Sequence, residues 1–138
     1  MEEQKRSCEL EKMGCGGCSM LSLSYEKQLK KKQKRLEKLL GKFGKVQPVI
    51  GMENPWHYRN KVISTFTRGE GKRLQSGIYA QGTHRVIPVE RCFLHQPALD
   101  KAVEAVRKAA ADCKYQPYDE DRRTGLIRHV LVRHSLTT

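Results

Sequence analysis

Four of the five cysteines have a spacing that suits a metal centre. Cys15 and Cys18 form a C-x-x-C unit around two glycines, and Cys8 lies upstream of them. Thiolates at such a spacing can chelate one metal ion or cluster, and the glycines let backbone N–H groups turn toward the thiolate charge. A thiolate cluster normally takes four ligands, which leaves Cys92 or Cys113 as the fourth. We favour Cys92, which follows a short predicted strand, because Cys113 lies on the apolar stripe of a predicted helix.

The chemistry of the bound group stays open between two main alternatives. Zinc ligands usually come as two pairs, and the second pair is missing from this sequence. Three clustered cysteines with one remote cysteine are the commoner arrangement for a [4Fe–4S] cluster, which we therefore favour. A redox-active C-x-x-C of the thioredoxin type needs a βαβ context, and the N-terminal stretch lacks one.

The hydrophobic periodicity predicts the elements that position these cysteines. Apolar residues at spacings of three, four and seven indicate a helix over residues 24–41, and a second helix begins at Pro97 and ends near Cys113. Residues 60–68 and 73–80 predict two strands joined as a hairpin, and further short strands are predicted at 46–50, 84–89 and 126–136. We therefore expect an α+β fold, with a largely antiparallel sheet and two helices after the cysteine-rich segment.

Two apolar stripes define the expected core of this fold. On the second helix the stripe comprises Leu99, Val103, Val106, Ala110 and Cys113. On the last strand the expected inward side chains are Leu126, Val130, Val132 and Leu136.

The charge of the chain indicates an anionic partner. Lys and Arg number 27 against 15 Asp and Glu, which gives a formal net charge of +12 over 138 residues. Clustered cations release counterions from phosphates, so nucleic acid is the first candidate and an anionic membrane surface is a weaker one. No apolar run approaches the roughly 20 residues of a membrane span, and the N-terminus has no secretory pattern. We expect an intracellular, cytoplasmic protein.

Two regions combine residue types that suit RNA. The polar face of the first helix is crowded with cations, of which Lys30, Lys31, Lys34 and Arg35 are candidate phosphate contacts, although such a face is often only solvated. Trp56, Tyr58, Arg59 and Lys61 bring rings and cations together within six residues, an arrangement that can stack a base and hold its phosphate. Trp56 and Tyr58 could equally anchor a core.

Two further cations lie on the last predicted strand. Arg128 and Arg133 interrupt an otherwise apolar stretch, and they face either RNA or another domain.

Four motifs, in this order, resemble the RNA (uracil-5-)-methyltransferases. They are the C-x6-C-G-G-C run followed by LSYEKQLKKK, then NPWHYRNKV, HRVIPVERC and GLIRHVLVR. The resemblance covers nearly the whole chain and is greatest to the branch that makes 5-methyluridine in 23S ribosomal RNA; the tRNA branch is not excluded. In that branch four cysteines hold a [4Fe–4S] cluster, and the motifs place them at Cys8, Cys15, Cys18 and Cys92.

The resemblance also implies a division of labour along the chain. Residues 1–20 would hold the cluster, and residues 21–138 would form the central RNA-binding α/β domain. The family's catalytic domain binds S-adenosylmethionine and carries a cysteine nucleophile and a carboxylate base, since uracil C5 becomes nucleophilic only after a thiolate adds to C6. We find no such motif, so we expect a monomeric, inactive portion of the enzyme that binds ribosomal RNA. The alternative is a stand-alone zinc-dependent nucleic-acid-binding module.

Overall fold

The computed structural model describes residues 8–135, which form an α+β fold as predicted. By contacts the chain divides into two compact units, one with Cys8 and residues 18–55 and the other with residues 9–17 and 56–135. A short helix near the cysteines was not predicted. The elements are α1 (Glu9–Lys12), α2 (Tyr25–Leu40), β1 (Lys61–Arg68), β2 (Leu74–Tyr79), β3 (Val86–Pro88), α3 (Pro97–Asp112) and β4 (His129–Arg133), with a 3-10 turn at Glu70–Lys72.

The first unit is built on α2, whose predicted bounds are confirmed to within one residue. Ser24 has the extended backbone of an N-cap, and the Gly41 N–H closes the last turn on the Glu37 carbonyl. No α2 residue is fully buried. α2 is therefore an amphipathic helix with a wide exposed face.

The strand predicted at 46–50 is wrong. The Gln33 side chain of α2 accepts a hydrogen bond from the Val49 N–H at 2.8 Å and donates one to the Gln47 carbonyl at 3.4 Å. These backbone groups are satisfied by a side chain instead of a neighbouring strand, so no ladder forms. The Tyr25 hydroxyl accepts the Met52 N–H at 2.8 Å and holds the next part of the segment in the same way.

The second unit contains a four-stranded antiparallel sheet in the order β3-β2-β1-β4. β1 and β2 form the predicted hairpin, and Gly71 in its turn has a φ of 64°, which favours glycine. β3 and β4 are shorter than predicted.

The core lies between α3 and one face of the sheet. Leu99 and Val103 pack on Val62, with Val130 and Val132 half-buried against them. The predicted core positions of two residues in the α3 stripe are wrong. Val106 is 38% exposed and Cys113, which follows the last residue of the helix, is exposed.

The start of β4 differs from the prediction for a clear reason. The N–H groups of Leu126 and Ile127 bond to the Gln116 carbonyl, and the Tyr118 N–H bonds to the Ile127 carbonyl. Leu126 and Ile127 therefore pair with the preceding loop rather than with β1, and the first contact with β1 is the Arg128 carbonyl, which accepts the Phe66 N–H at 2.9 Å. Leu126 is 71% exposed, so its predicted place in the core is wrong. Leu136 lies outside the described residues.

Candidate functional site

The Cys15 segment is attached to the turn that follows β2. Cys15 forms an isolated antiparallel bridge with Ala80, and the Gln81 N–H bonds to the Gly14 carbonyl at 3.2 Å. The Gly17 N–H donates to the Cys15 sulfur at 3.4 Å. Hydrogen bonds to the ligating sulfurs are a common feature of iron–sulfur sites. The glycine after the cysteine thus acts as the sequence analysis expected.

Cys92 is positioned by a carboxylate in the first turn of α3. Asp100 accepts the Cys92 N–H at 3.0 Å through one oxygen and the His95 Nδ1 at 2.7 Å through the other. The His95 N–H also closes a turn on the Cys92 carbonyl at 3.1 Å. Both side chains of the His95–Asp100 pair are largely buried. Three residues therefore lock the loop that presents the Cys92 thiol.

This network changes the acidity of its members. Burial would lower the pKa of His95, but hydrogen bonds to Asp100 and Cys92 and the attraction of their charges outweigh it and raise the pKa to about 9. Burial opposes ionisation of Cys92, yet the His95 ring and the N–H groups of Leu94 and His95 together lower the pKa of its thiol. His95 is therefore an integral part of this loop.

The four predicted ligands are divided between the two units. Cys8 and Cys18 belong to the unit of α2, whereas Cys15 and Cys92 belong to the unit of the sheet. Within residues 8–135, no group of three or more His, Cys, Asp or Glu side chains is arranged to hold a metal ion. All four thiols are half-buried, and those of Cys15 and Cys92 have donors that suit a thiolate. The local chemistry fits a cluster ligand, but a converged ligand set is not shown.

The cations predicted on α2 share one exposed face. Lys30 and Lys34 are four residues apart, as are Lys31 and Arg35, so the four side chains occupy less than half of the helix circumference. In the described part of the chain none of the four has a carboxylate partner.

Two lysines that were not selected from the sequence lie on the same face of α2. Lys27 and Lys38 extend the row to about 16 Å at 1.5 Å per residue. Lys27 is four residues before Lys31, and Lys38 is four residues after Lys34 and seven after Lys31. This helical spacing is the signal that could have identified them.

The aromatic and cationic cluster after Pro55 is divided by the structure. Trp56 is half-buried and meets Phe93 edge to face, with ring centroids 6.1 Å apart, so it contributes to packing. Tyr58 is 47% exposed. Arg59 is half-buried and donates to the Gly17 carbonyl at 3.0 Å, which ties it to the cysteine segment. Lys61, the first residue of β1, is exposed.

Arg59 also lines an open cleft of about 670 Å³. Gly16 and Gly17 also line the cleft, as do Tyr79 and His84, whose ring centroids are 5.8 Å apart. The His84 ring is held by Glu120 at 2.8 Å. The cleft therefore joins the cysteine segment to the β2–β3 turn.

The two arginines predicted near the C-terminus have different surroundings. Arg128 pairs with Glu120 at 3.1 Å and lies over the Tyr118 ring, 5.2 Å from its centroid. Arg133 is an exposed residue of β4, directly opposite Lys61 across the β1–β4 ladder. Lys61 and Arg133 are thus neighbours in the structure, whereas Arg128 forms an ion pair within the protein.

No helix within residues 8–135 is both long and apolar enough to cross a membrane.

The chain is similar in sequence to curated RNA methyltransferases. It is 36% identical over 129 residues to a protein of Halalkalibacterium halodurans and 39% identical over 130 residues to one of Listeria monocytogenes, each named an uncharacterized RNA methyltransferase. A third, from Caldanaerobacter subterraneus, is 37% identical over 129 residues. Each alignment covers 90% of this chain, and the chain spans 28% of the length of these relatives.

A solved structure shares the fold. The tRNA (uracil-54, C5)-methyltransferase of Pyrococcus abyssi, in complex with S-adenosyl-L-homocysteine, superposes with a TM-score of 0.68 at 21% identity, over 86% of this chain and 28% of that one. No protein-family model matches the chain. For the portion of these proteins that it spans, the chain is a relative of the RNA methyltransferases, as its motifs predicted, and it shares the fold of the corresponding portion of a tRNA (uracil-54, C5)-methyltransferase.

Proposed function

We propose that the chain is the RNA-binding portion of an S-adenosylmethionine-dependent RNA (uracil-5-)-methyltransferase that makes 5-methyluridine in 23S ribosomal RNA. The observation that carries the proposal is the exposed cationic face of α2, in a chain whose relatives are named RNA methyltransferases. Cations without a carboxylate partner are free to neutralise phosphates and release counterions. In this proposal the portion acts in the cytoplasm as a monomer, and methyl transfer needs the rest of the enzyme.

The residues of this portion have separate tasks in RNA binding. Lys30, Lys31, Lys34 and Arg35 contact phosphates, which positions the RNA without reading its sequence. Tyr58, with nearly half of its side chain exposed, offers a ring on which an unpaired base can stack. Arg59 holds the cysteine segment in place through its bond to the Gly17 carbonyl.

The binding test removes four charges from α2 and compares them with four removed elsewhere. Lys30, Lys31, Lys34 and Arg35 are changed to Gln together, and the control changes four exposed cations of the other unit to Gln: Lys72, Arg73, Lys101 and Lys114. We expect the α2 variant to lower the salt dependence of binding to a single-stranded RNA by about 3 in log K against log salt, at roughly 0.7 per phosphate contact. Equal losses in both variants would contradict a site on α2.

The choice of substrate is tested with RNA transcripts. Fragments of 23S ribosomal RNA should bind more tightly than tRNA at equal salt, and the reverse order would move the chain to the tRNA branch. Incubated with labelled S-adenosylmethionine and either RNA, this portion should incorporate no methyl group. Incorporation would overturn the proposed division of labour.

We also propose that Cys8, Cys15, Cys18 and Cys92 hold a [4Fe–4S] cluster with a structural role. Support comes from the Gly17 N–H on the Cys15 sulfur and from the lowered pKa of the Cys92 thiol, since a cluster is held by thiolates. When bound, the cluster would cross-link the chain segments that carry these four cysteines, a structural role that fits the redox-neutral chemistry of methyl transfer.

Anaerobic purification tests the metal. We expect a brown protein with absorption near roughly 400 nm, as thiolate-bound iron–sulfur clusters show. Cys92→Ser should lose iron, and Cys113→Ser, at an exposed thiol, should keep it. A colourless protein with one zinc per chain would contradict the cluster and favour the zinc-dependent module.

A further inference from the structure

The sheet face away from α3 carries an unusual pair of side chains where β1 meets β4. Lys61 and Arg133 are directly opposite each other in the antiparallel ladder. The adjacent pair, Asn60 and His134, is hydrogen-bonded, since the His134 N–H donates to the Asn60 carbonyl at 2.9 Å. Pairs alternate along an antiparallel ladder, so Lys61 and Arg133 form a non-hydrogen-bonded pair, the type in which facing side chains are closest.

Two like charges in such a pair repel each other, and no carboxylate within residues 8–135 is paired with either of them. Like charges directly opposite across a ladder destabilise a sheet. Both side chains are exposed, and neither has an acidic partner among residues 8–135. An anion placed between the two cations would remove the repulsion. The pair is therefore a preformed binding site for one anionic group.

The next pair on the same face is apolar. Ile63 and Leu131 face each other two residues along the strands and are 50% and 54% exposed. The third pair is polar, because the Thr65 hydroxyl and the His129 Nδ1 are 3.1 Å apart. Successive pairs on one face are about 7 Å apart at two residues of strand rise. A cationic row and an apolar row thus lie side by side, at a separation similar to that between the phosphate and the base of one nucleotide.

The backbone of β4 adds hydrogen-bonding groups beside these rows. β4 is the edge of the sheet in the described chain, with β1 on one side only. The N–H and C=O groups of Leu131 and Arg133 point away from β1, because these residues are in non-hydrogen-bonded pairs. Such groups can bond to the edge of an unpaired base.

We propose that Lys61 and Arg133 together hold one backbone phosphate of an unpaired RNA segment, and that Ile63 and Leu131 support the attached nucleoside. The inference rests on the proposed RNA-binding function and locates a second contact, in the unit that contains the sheet. The partner is RNA rather than a polypeptide because the cationic pair requires an anion at one fixed point and this sheet face carries no carboxylate among its three pairs.

The test uses the double variant Lys61→Gln/Arg133→Gln of this chain. The matched control is Lys72→Gln/Arg73→Gln, which removes two exposed charges at the far end of the β1–β2 hairpin. Binding to a 12-nucleotide single-stranded RNA is followed by fluorescence anisotropy across a salt series. Thermal unfolding at low salt is measured without RNA.

Two results together support the proposal. The double variant should unfold at a higher temperature than the wild type, because the repulsion is gone, while its affinity for the RNA falls about tenfold. Its salt slope should fall by about 0.7, the value for one shared phosphate, rather than the roughly 1.4 expected of two separate contacts. The additional changes Ile63→Ser and Leu131→Ser should weaken binding without changing the slope.

Three outcomes would overturn it. If the double variant binds RNA as tightly as the control variant does, Lys61 and Arg133 do not form an RNA site. If its salt slope falls by about 1.4, the two cations contact separate phosphates instead of sharing one. If the wild type sediments as a dimer, the double variant sediments as a monomer and its RNA affinity is unchanged, this sheet face binds a second polypeptide instead of RNA. Failure of the α2 variant to change RNA binding would refute the proposed α2 site but leave this test intact, so the two proposals fail separately.

Discussion

The carboxylate of Asp100 is the most consequential single group in the loop that presents Cys92. It accepts the Cys92 N–H at 3.0 Å and the His95 ring at 2.7 Å, with 14% of its side chain exposed. Asp100→Asn keeps the size of the side chain and replaces one acceptor oxygen with an NH2 group. That group faces one of the two donors, so one hydrogen bond is lost and the other loses its charge assistance.

The size of the effect follows from these two bonds. A hydrogen bond to a charged group contributes about 1.5–3 kcal/mol, and the donor left in a mostly buried site adds a desolvation cost. Asp100 also lies in the first turn of α3, where a negative charge is favourable by a few tenths of a kcal/mol to about 1 kcal/mol. We expect a loss of about 3 kcal/mol in the free energy of unfolding. For a chain of this length that corresponds to a fall of about 10 °C in Tm.

Thermal unfolding at pH 7 under reducing conditions, followed by circular dichroism, measures this loss. Asp112→Asn is the matched control, because it makes the same chemical change at an exposed position at the other end of α3. The control should stay within about 0.5 kcal/mol of the wild type. If Asp100→Asn lowers Tm no more than Asp112→Asn does, the carboxylate does not hold the Cys92 loop and the reasoning is refuted.

Two further predictions test the core and the sheet. Leu99→Ala, at a fully buried residue, should cost about 2–5 kcal/mol in urea unfolding, whereas Leu126→Ala, at a residue that is 71% exposed, should cost less than about 0.5 kcal/mol; similar losses would contradict the position of the core. Gly77→Ala would place a methyl group 1.8 Å from the Ile87 carbonyl oxygen, so β2 and β3 must separate. We expect a loss above about 4 kcal/mol and fast hydrogen exchange of the β2–β3 amides, and protected amides in this variant would refute the pairing.

The long elements could be predicted from the sequence because each repeats one pattern. α2 and α3 carry apolar residues at helical spacing over 16 residues each, and the β1–β2 hairpin carries alternation on both sides of a glycine-containing turn. The failures have another origin. The strand predicted at 46–50 was wrong because the Gln33 side chain satisfies its backbone, and no local pattern records a partner 16 residues away.

The candidate site shows the same limit. Spacing and motif order pointed to Cys15 and Cys92, but neither indicated that Asp100 bonds to both the Cys92 N–H and the His95 ring. An acidic residue in the first turn of a helix is favourable wherever a helix begins, so its presence carries no information about a loop eight residues earlier. That contact depends on how the chain turns before α3.

The contacts of each predicted cation distinguish the charges that already have a protein partner from those that can bind a phosphate. Arg59 bonds to the Gly17 carbonyl and Arg128 pairs with Glu120, so both already contribute to the fold. An RNA phosphate would have to compete with those partners, and the gain from each contact would be correspondingly small. The α2 row and the pair Lys61 and Arg133 have no carboxylate partner in residues 8–135, so a phosphate there adds an interaction without removing one. The net charge predicts that the chain binds an anion. The cations that have no carboxylate partner within residues 8–135 are the positions where a bound phosphate should contribute most to the binding free energy.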